Sequence, residues 1–292
     1  MAWYHVMVVQ IVVGSFATLW YRRTSVIYKN KFFLISLVVY ATVALAGIVL
    51  SLVANGGAIA RPSNISELLY VLAVGVTIPI SWLAQYKLIS HIGAANIAIA
   101  QAVNFLTVAL FGYVLLGDSI GRYTLYGAII LIGALFIAFS IDNKASARDK
   151  LPLQKKIIFV TISSLALAIG LSCEKLAIDS MGVWSYVLYG WTLQFIGAAI
   201  LFIIFGRVEL KKVQRGFWPA ALLAGVLTSL TGALFIIALS KGMLSEVILS
   251  SIAKVVLTTV LAVIVLKERN KIGRRFAALT LAIVGLIMLF AS

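Results

Sequence analysis

The chain has 292 residues, 63% of them hydrophobic and 11% charged, with a mean hydropathy of +1.11 and a net charge of +15. A soluble domain is roughly half apolar and about a quarter charged, so this composition excludes a fold whose whole surface meets water. The positive charge does not call for nucleic acid, because membrane proteins concentrate Lys and Arg in cytoplasmic loops.

The apolar runs are long and do not alternate, which predicts helices and not barrel strands. Backbone groups in lipid must be satisfied within each segment, which points the same way. The expected fold is an all-α integral membrane protein with about ten transmembrane helices, at 3–21, 33–53, 67–89, 93–116, 123–141, 157–176, 183–205, 217–240, 243–266 and 273–290. No connection between them is long enough for a soluble domain.

Span one offers His5, Gln10, Ser15 and Thr18 but no carboxylate. No basic region precedes it and Arg22 and Arg23 follow, so it does not read as a cleaved signal peptide. Span three contains VTIPISWLAQYK (76–87), where Pro79 removes a backbone bond and permits a kink. Trp82 and Gln85 follow within two turns. Span four carries Gln101 and Asn104, and span five the small-residue run GAIILIGALFIA (127–138), which would let helices approach closely within the chain or across a dimer. In span six, Glu174 and Lys175 are neighbours and do not face each other on a helix, so both read as interfacial. The one cysteine, Cys173, beside them excludes an internal disulfide. Trp184 and Tyr186, at the start of span seven, read as an interfacial aromatic belt. Tyr189, Trp191 and Gln194 lie deeper and, with Trp82 and Gln85, are candidates for a cavity wall.

Span nine poses the sharpest question. Glu246, Ser250, Lys254 and Thr258 recur every four residues and so share one helix face. A charge at the centre of a bilayer costs about 2.5–3.5 kcal/mol on insertion scales. Lys254 is tolerable there if it faces water, a substrate or polar partners inside the bundle. As a substrate anchor it would attract an anion. As a structural group it would bond helix carbonyls or snorkel. Ser251 corresponds to Gln101 and Lys254 to Asn104 when the halves are compared. Glu246 lies two turns from Lys254, about 12 Å along the axis, and is a candidate for proton coupling or a solvated helix-end acid.

Nineteen basic residues fall in connections after odd-numbered spans and four in those after even-numbered spans, with Lys254 left over. That bias puts both termini outside the cytoplasm. At a shift of 150 residues Thr42 meets Thr192, Gly47 meets Gly197, Gly75 meets Gly225 and Ser90 meets Ser240. The chain thus reads as two five-helix repeats, 1–141 and 157–292, joined by a polar linker at 142–156. Five spans per half is odd, so the halves are inverted, as in many secondary transporters. Duplication in a channel or a membrane enzyme is the alternative.

LLGDSIGRYTLYGAIILIGALFIAF (115–139), echoed by VLKERNKIGRRFAALTLAIVGLIMLF (265–290), resembles the EamA-like family of the drug/metabolite transporter superfamily. The resemblance implies an acidic residue closing the fourth helix of each half, here Asp118 and Glu268, and cytoplasmic termini, against the charge bias. Many relatives carry a proline partway along that helix, where this chain has Asn104 and Lys254.

The expectation is therefore a carrier in the cell membrane for a small anionic or zwitterionic metabolite such as an amino acid. It would work by alternating access to a midplane cavity, with export implied by the family. A nucleotide-sugar or lipid-linked sugar carrier, or an accessory subunit without transport, are the other readings. Motifs for a metal, a phosphate loop or a nucleophile are missing, so neither cofactor nor enzyme activity is expected. The expected partners are a small-molecule substrate and the lipid bilayer, without nucleic acid, around a monomer or homodimer.

Overall fold

The computed structural model describes residues 2–28, 31–57, 61–89, 94–139, 152–211, 213–265 and 272–291. Most of the 142–156 linker, and Glu268, lie outside these. The described residues form ten α-helices: α1 (Trp3–Ile27), α2 (Phe32–Ala54), α3 (Ile65–Ile89), α4 (Ala94–Leu116), α5 (Arg122–Phe139), α6 (Leu153–Met181), α7 (Val183–Leu201), α8 (Phe217–Leu239), α9 (Leu244–Val265) and α10 (Ile272–Phe290). Beyond α7 the chain widens into a π-type turn at Phe202–Gly206 and tightens into a 3-10 turn at Arg207–Leu210.

Among the described residues six helices, α1, α2, α3, α6, α7 and α8, are long and apolar enough to cross a membrane. Shorter apolar stretches occupy Gln101–Leu116, Arg122–Ile137 and Phe276–Phe290. Large apolar side chains such as Val49, Val53, Leu110, Val114, Ile200 and Ile204 point outward. In water such surface would be costly; against lipid it is the expected outer face.

The helices of the first half pack largely on those of the second. Helix α1 lies against α8 and α9, while α6 lies against α3 and α4. Helix α2 meets α7 and α8, α7 meets α2 and α3, and α5 meets α10. Exchanging α1–α5 with α6–α10 returns the same pairs. The core is therefore shared between the halves.

One crossing shows why particular residues are needed. Pro79 has no N–H, so the Gly75 carbonyl one turn earlier loses its helical donor. Gly197 of α7 comes so close that a Cβ there would collide with that carbonyl and lie 3.0 Å from the Pro79 ring. At the α5–α10 crossing a Cβ on Gly127 would lie 2.8 Å from the Gly285 carbonyl. The small residues of 127–138 thus include one used for packing within the chain.

Helix starts are capped from several sources. The Asn64 side chain accepts the Glu67 N–H at 3.0 Å, and the Glu67 carboxylate accepts the Ser63 N–H at 2.6 Å. That pair of caps, a shifted variant of the box written N-x-x-E in the sequence, opens α3. Two other starts borrow carboxylates from distant segments. Glu209 accepts the Leu34 N–H at 2.8 Å at the start of α2, and Asp118 accepts the Ser245 N–H at 2.8 Å at the start of α9. Asp118, which ends the α4 segment, thereby ties α4 to α9.

Asp118→Asn keeps the shape and removes the charge that complements the α9 N-terminus. We expect it to lower stability by about 1–2 kcal/mol. The readout is thermal unfolding in detergent; an unchanged midpoint would deny the cap its role.

Candidate functional site

Lys254 stands halfway along α9 and packs on α1. Its methylenes lie over Gly14, where a Cβ would sit 2.7 Å from Lys254 Cδ and 3.6 Å from Gln10 Nε2. Only a glycine leaves room for the lysine stem to cross α1. The Lys254 carbonyl accepts bonds from Ser15 Oγ at 3.0 Å and from Thr258 Oγ1 at 2.7 Å. The residue is half-buried, and among the described residues no hydrogen bond or ion pair reaches its ammonium. Nor does any donor reach Gln10 Oε1, which is buried. A donor and an acceptor without partners thus flank one glycine.

The rest of the predicted stripe is more self-contained. Ser250 and Ser251 are buried, and their hydroxyls donate to Glu246 O at 2.9 Å and Val247 O at 3.3 Å within α9. Such bonds to the preceding turn leave little for a ligand. Glu246, expected at a wet mouth, is buried in the first turn of α9, at 5% exposure. The acid starts its helix, but under neighbouring segments.

Asn104, the counterpart of Lys254, packs on α6 much as Lys254 packs on α1. Its amide donates to Ser163 Oγ at 3.3 Å, while its Oδ1 has no partner among the described residues. Ser81 donates to the Ser163 carbonyl at 3.0 Å, and Gln85 donates to Ser81 at 3.3 Å. Gln101 lies nearly one turn earlier on α4 and is partly buried. Asn104, Ser163, Ser81 and Gln85 make a polar seam among α3, α4 and α6.

A third group overturns two expectations. Glu174 and Tyr186, expected at an interface, instead point into the bundle: Glu174 is 5% exposed and Tyr186 fully buried. The Tyr186 hydroxyl donates to the Glu174 carboxylate and accepts from Gln194 Nε2 at 3.4 Å. Helix α6 extends to Met181, beyond the predicted end at 176, so Glu174 falls two turns inside it. Adjacent residues on a helix point in different directions, and Lys175 turns outward to pair with Asp179 at 2.8 Å. The sequence signal for Glu174 was a lone acid within an apolar segment, which by itself merits a functional reading.

The aromatic candidates divide. Trp191 is buried between α2 and α8, where Cβ atoms on Gly47 and Gly232 would lie 2.9 and 3.2 Å from its ring; it fills a packing slot. Tyr189 is half-buried beside the core. Trp82 is 36% exposed, with ring centroids 6.0 Å from both Tyr21 and Tyr40.

A family described as the EamA-like transporter family matches residues 4–140. Over that stretch the chain is similar to the EamA-like transporter family. The matched region includes Gly14, Trp82, Asn104 and the Asp118 cap. Among solved structures, one titled "Crystal structure of protein" superposes with a TM-score of 0.78 over 98% of this chain and 95% of that one, at 14% identity. At that identity the likeness concerns the fold. No curated protein matches the chain. The apolar helices are those of a multi-pass membrane protein, and its first half is similar to a transporter family.

Proposed function

We propose that this EamA-like protein is a secondary carrier, built as two inverted repeats of five membrane helices, that exports a small anionic or zwitterionic metabolite by alternating access. The observation that carries the reading is Lys254: a half-buried ammonium, midway along a helix, between elements of the two halves. The Gln10 amide beside it supplies a neutral contact, its Nε2 able to donate to a bound carboxylate and its unpartnered Oε1 able to accept from that ligand's water. The exchange symmetry of the helix pairs supports the repeat, with α1–α5 and α6–α10 as its units. Ten spans are supported by the shorter apolar stretches of α4, α5 and α10. The bias of basic residues supports extracytoplasmic termini, while the family resemblance favours the reverse.

On this reading Lys254 is the anion anchor, Gln101, Asn104 and Gln85 lie along the opposite polar seam, and Trp82 stands apart from it beside Tyr21 and Tyr40. Glu246 is the candidate for proton coupling. The cell membrane is the proposed location and the monomer or homodimer the proposed unit.

The test is substrate counterflow in liposomes, screening labelled amino acids against simple organic anions. Lys254→Ala should lose transport with normal folding, and Lys254→Arg should retain part of it. Unchanged counterflow in the alanine variant would remove Lys254 from the mechanism. Net uptake that is unchanged by an imposed membrane potential would exclude uncoupled movement of an anion and favour a zwitterion.

A further inference from the structure

Serine and threonine hydroxyls inside these helices usually return to the carbonyl one turn earlier. Thr42 donates to Val38 O at 2.8 Å, Thr77 to Ala73 O at 2.7 Å and Thr192 to Leu188 O at 2.6 Å. Ser36, on α2, does not follow them. Its Oγ is buried and has no partner among the described residues, and the same holds for the Tyr40 hydroxyl one turn further along α2. Both residues line a cleft between α2, α3 and α7, whose other walls include Pro79, Trp82, Leu83, Ala198 and Leu201.

These walls do little for two hydroxyls. Pro79 has no N–H, and the side chains of Leu83, Ala198 and Leu201 carry no polar atom. Ser36 and Tyr40 share one face of the helix, where side chains four apart start about 5–6 Å from each other. A group lying between them must both donate and accept, as each hydroxyl does. The cleft leaves about 20 Å³ for the centre of a water molecule. One water needs about 10–15 Å³ on that measure and roughly two to four polar partners, so the cleft takes one water and excludes an organic headgroup.

We propose that this cleft binds a single ordered water between the Ser36 and Tyr40 hydroxyls. The water satisfies both groups at once, which costs less than burying either one unpaired. Ala198 adjoins Gly197, and Pro79 lines the cleft, so the site lies beside the crossing where a Cβ on Gly197 would strike the Gly75 carbonyl. The water fills the gap that α2 leaves against that crossing. The site does not depend on the carrier reading.

The test is radiolytic footprinting of the purified full-length protein in detergent, in which X-rays split water where it lies and the radicals oxidise the nearest side chains. Tyr40 oxidation, read by mass spectrometry and referred to exposed Tyr113 on α4, should run several-fold faster than that of Tyr186, which is fully buried and bonded to Gln194. Ser36→Val puts methyl groups into the cleft and should bring Tyr40 down to the Tyr186 rate. Equal rates in wild type would mean a dry cleft. A fast rate surviving in folded Ser36→Val would mean that bulk water reaches Tyr40. Either result overturns the proposal. Should Ser36→Val fail to fold, Ser36→Ala takes its place, since loss of the hydroxyl alone should lower the Tyr40 rate. Unfolding midpoints give a second reading: hydroxyls that share one water are coupled, so Ser36→Ala with Tyr40→Phe should lose less than the sum of the single losses. Strict additivity would mean two independent hydroxyls and would overturn the proposal as well.

Discussion

Gly197→Ala is expected to leave little folded protein. The added methyl group would meet the Gly75 carbonyl, a backbone atom with no rotamer by which to retreat, and the Pro79 ring 3.0 Å away. Overpacking in a close-fitted core costs about 1–3 kcal/mol when side chains can adjust, and more when the obstacle is backbone. Helix α7 would have to separate from α3, a contact that also seats Leu193 on Gly75. The measurement is size-exclusion of a fluorescently tagged protein with a thermal ramp. Gly133→Ala is the control, because a Cβ there meets nothing within 4 Å. That substitution should be neutral or stabilising, by up to about 1 kcal/mol, since Ala is the better helix former. Equal behaviour of the two variants would mean that α3 and α7 do not cross as described.

Lys254→Met should produce a protein that is more stable and does not transport. The thioether side chain preserves the length of the stem over Gly14 and removes an ammonium that no described residue satisfies. On insertion scales the gain is about 2.5–3.5 kcal/mol if the lysine is charged at mid-bilayer, and smaller if water already reaches it. Counterflow should fall to background, because an apolar tip offers nothing to a carboxylate. A raised unfolding midpoint with abolished transport is the signature of a group kept for function at the expense of stability. A lowered midpoint would instead show that the ammonium has a structural partner, and the anchor role would fail with it.

The helices were legible because their signal is local. An apolar run of about 20 residues between basic or polar turns is readable in any context, and all ten helices fall where hydropathy placed them. Lys254 was legible for the same reason: a charge is conspicuous in an apolar segment. Glu174 was equally conspicuous, yet the predicted end of span six came five residues early and made an interior acid look terminal. Tyr186 was misplaced by its position near a helix start, a rule of thumb that fails when the helix end is covered by neighbours. Ser250 and Ser251 had the spacing of a polar stripe, but a serine in a helix readily satisfies itself on the preceding turn, which spacing cannot reveal.

Composition and periodicity thus determined on their own that the chain lives in a bilayer, that it is helical, and roughly where each helix lies, because these follow from transfer free energies summed over neighbouring residues. Which faces meet was decided by tertiary structure alone: Gly14 under the Lys254 stem and Asp118 on the first turn of α9. Those partners are 127 to 240 residues apart in pairs such as Asp118–Ser245 and Gly14–Lys254. Contacts at that separation depend on the shape of every helix between them, and no window of sequence encodes it.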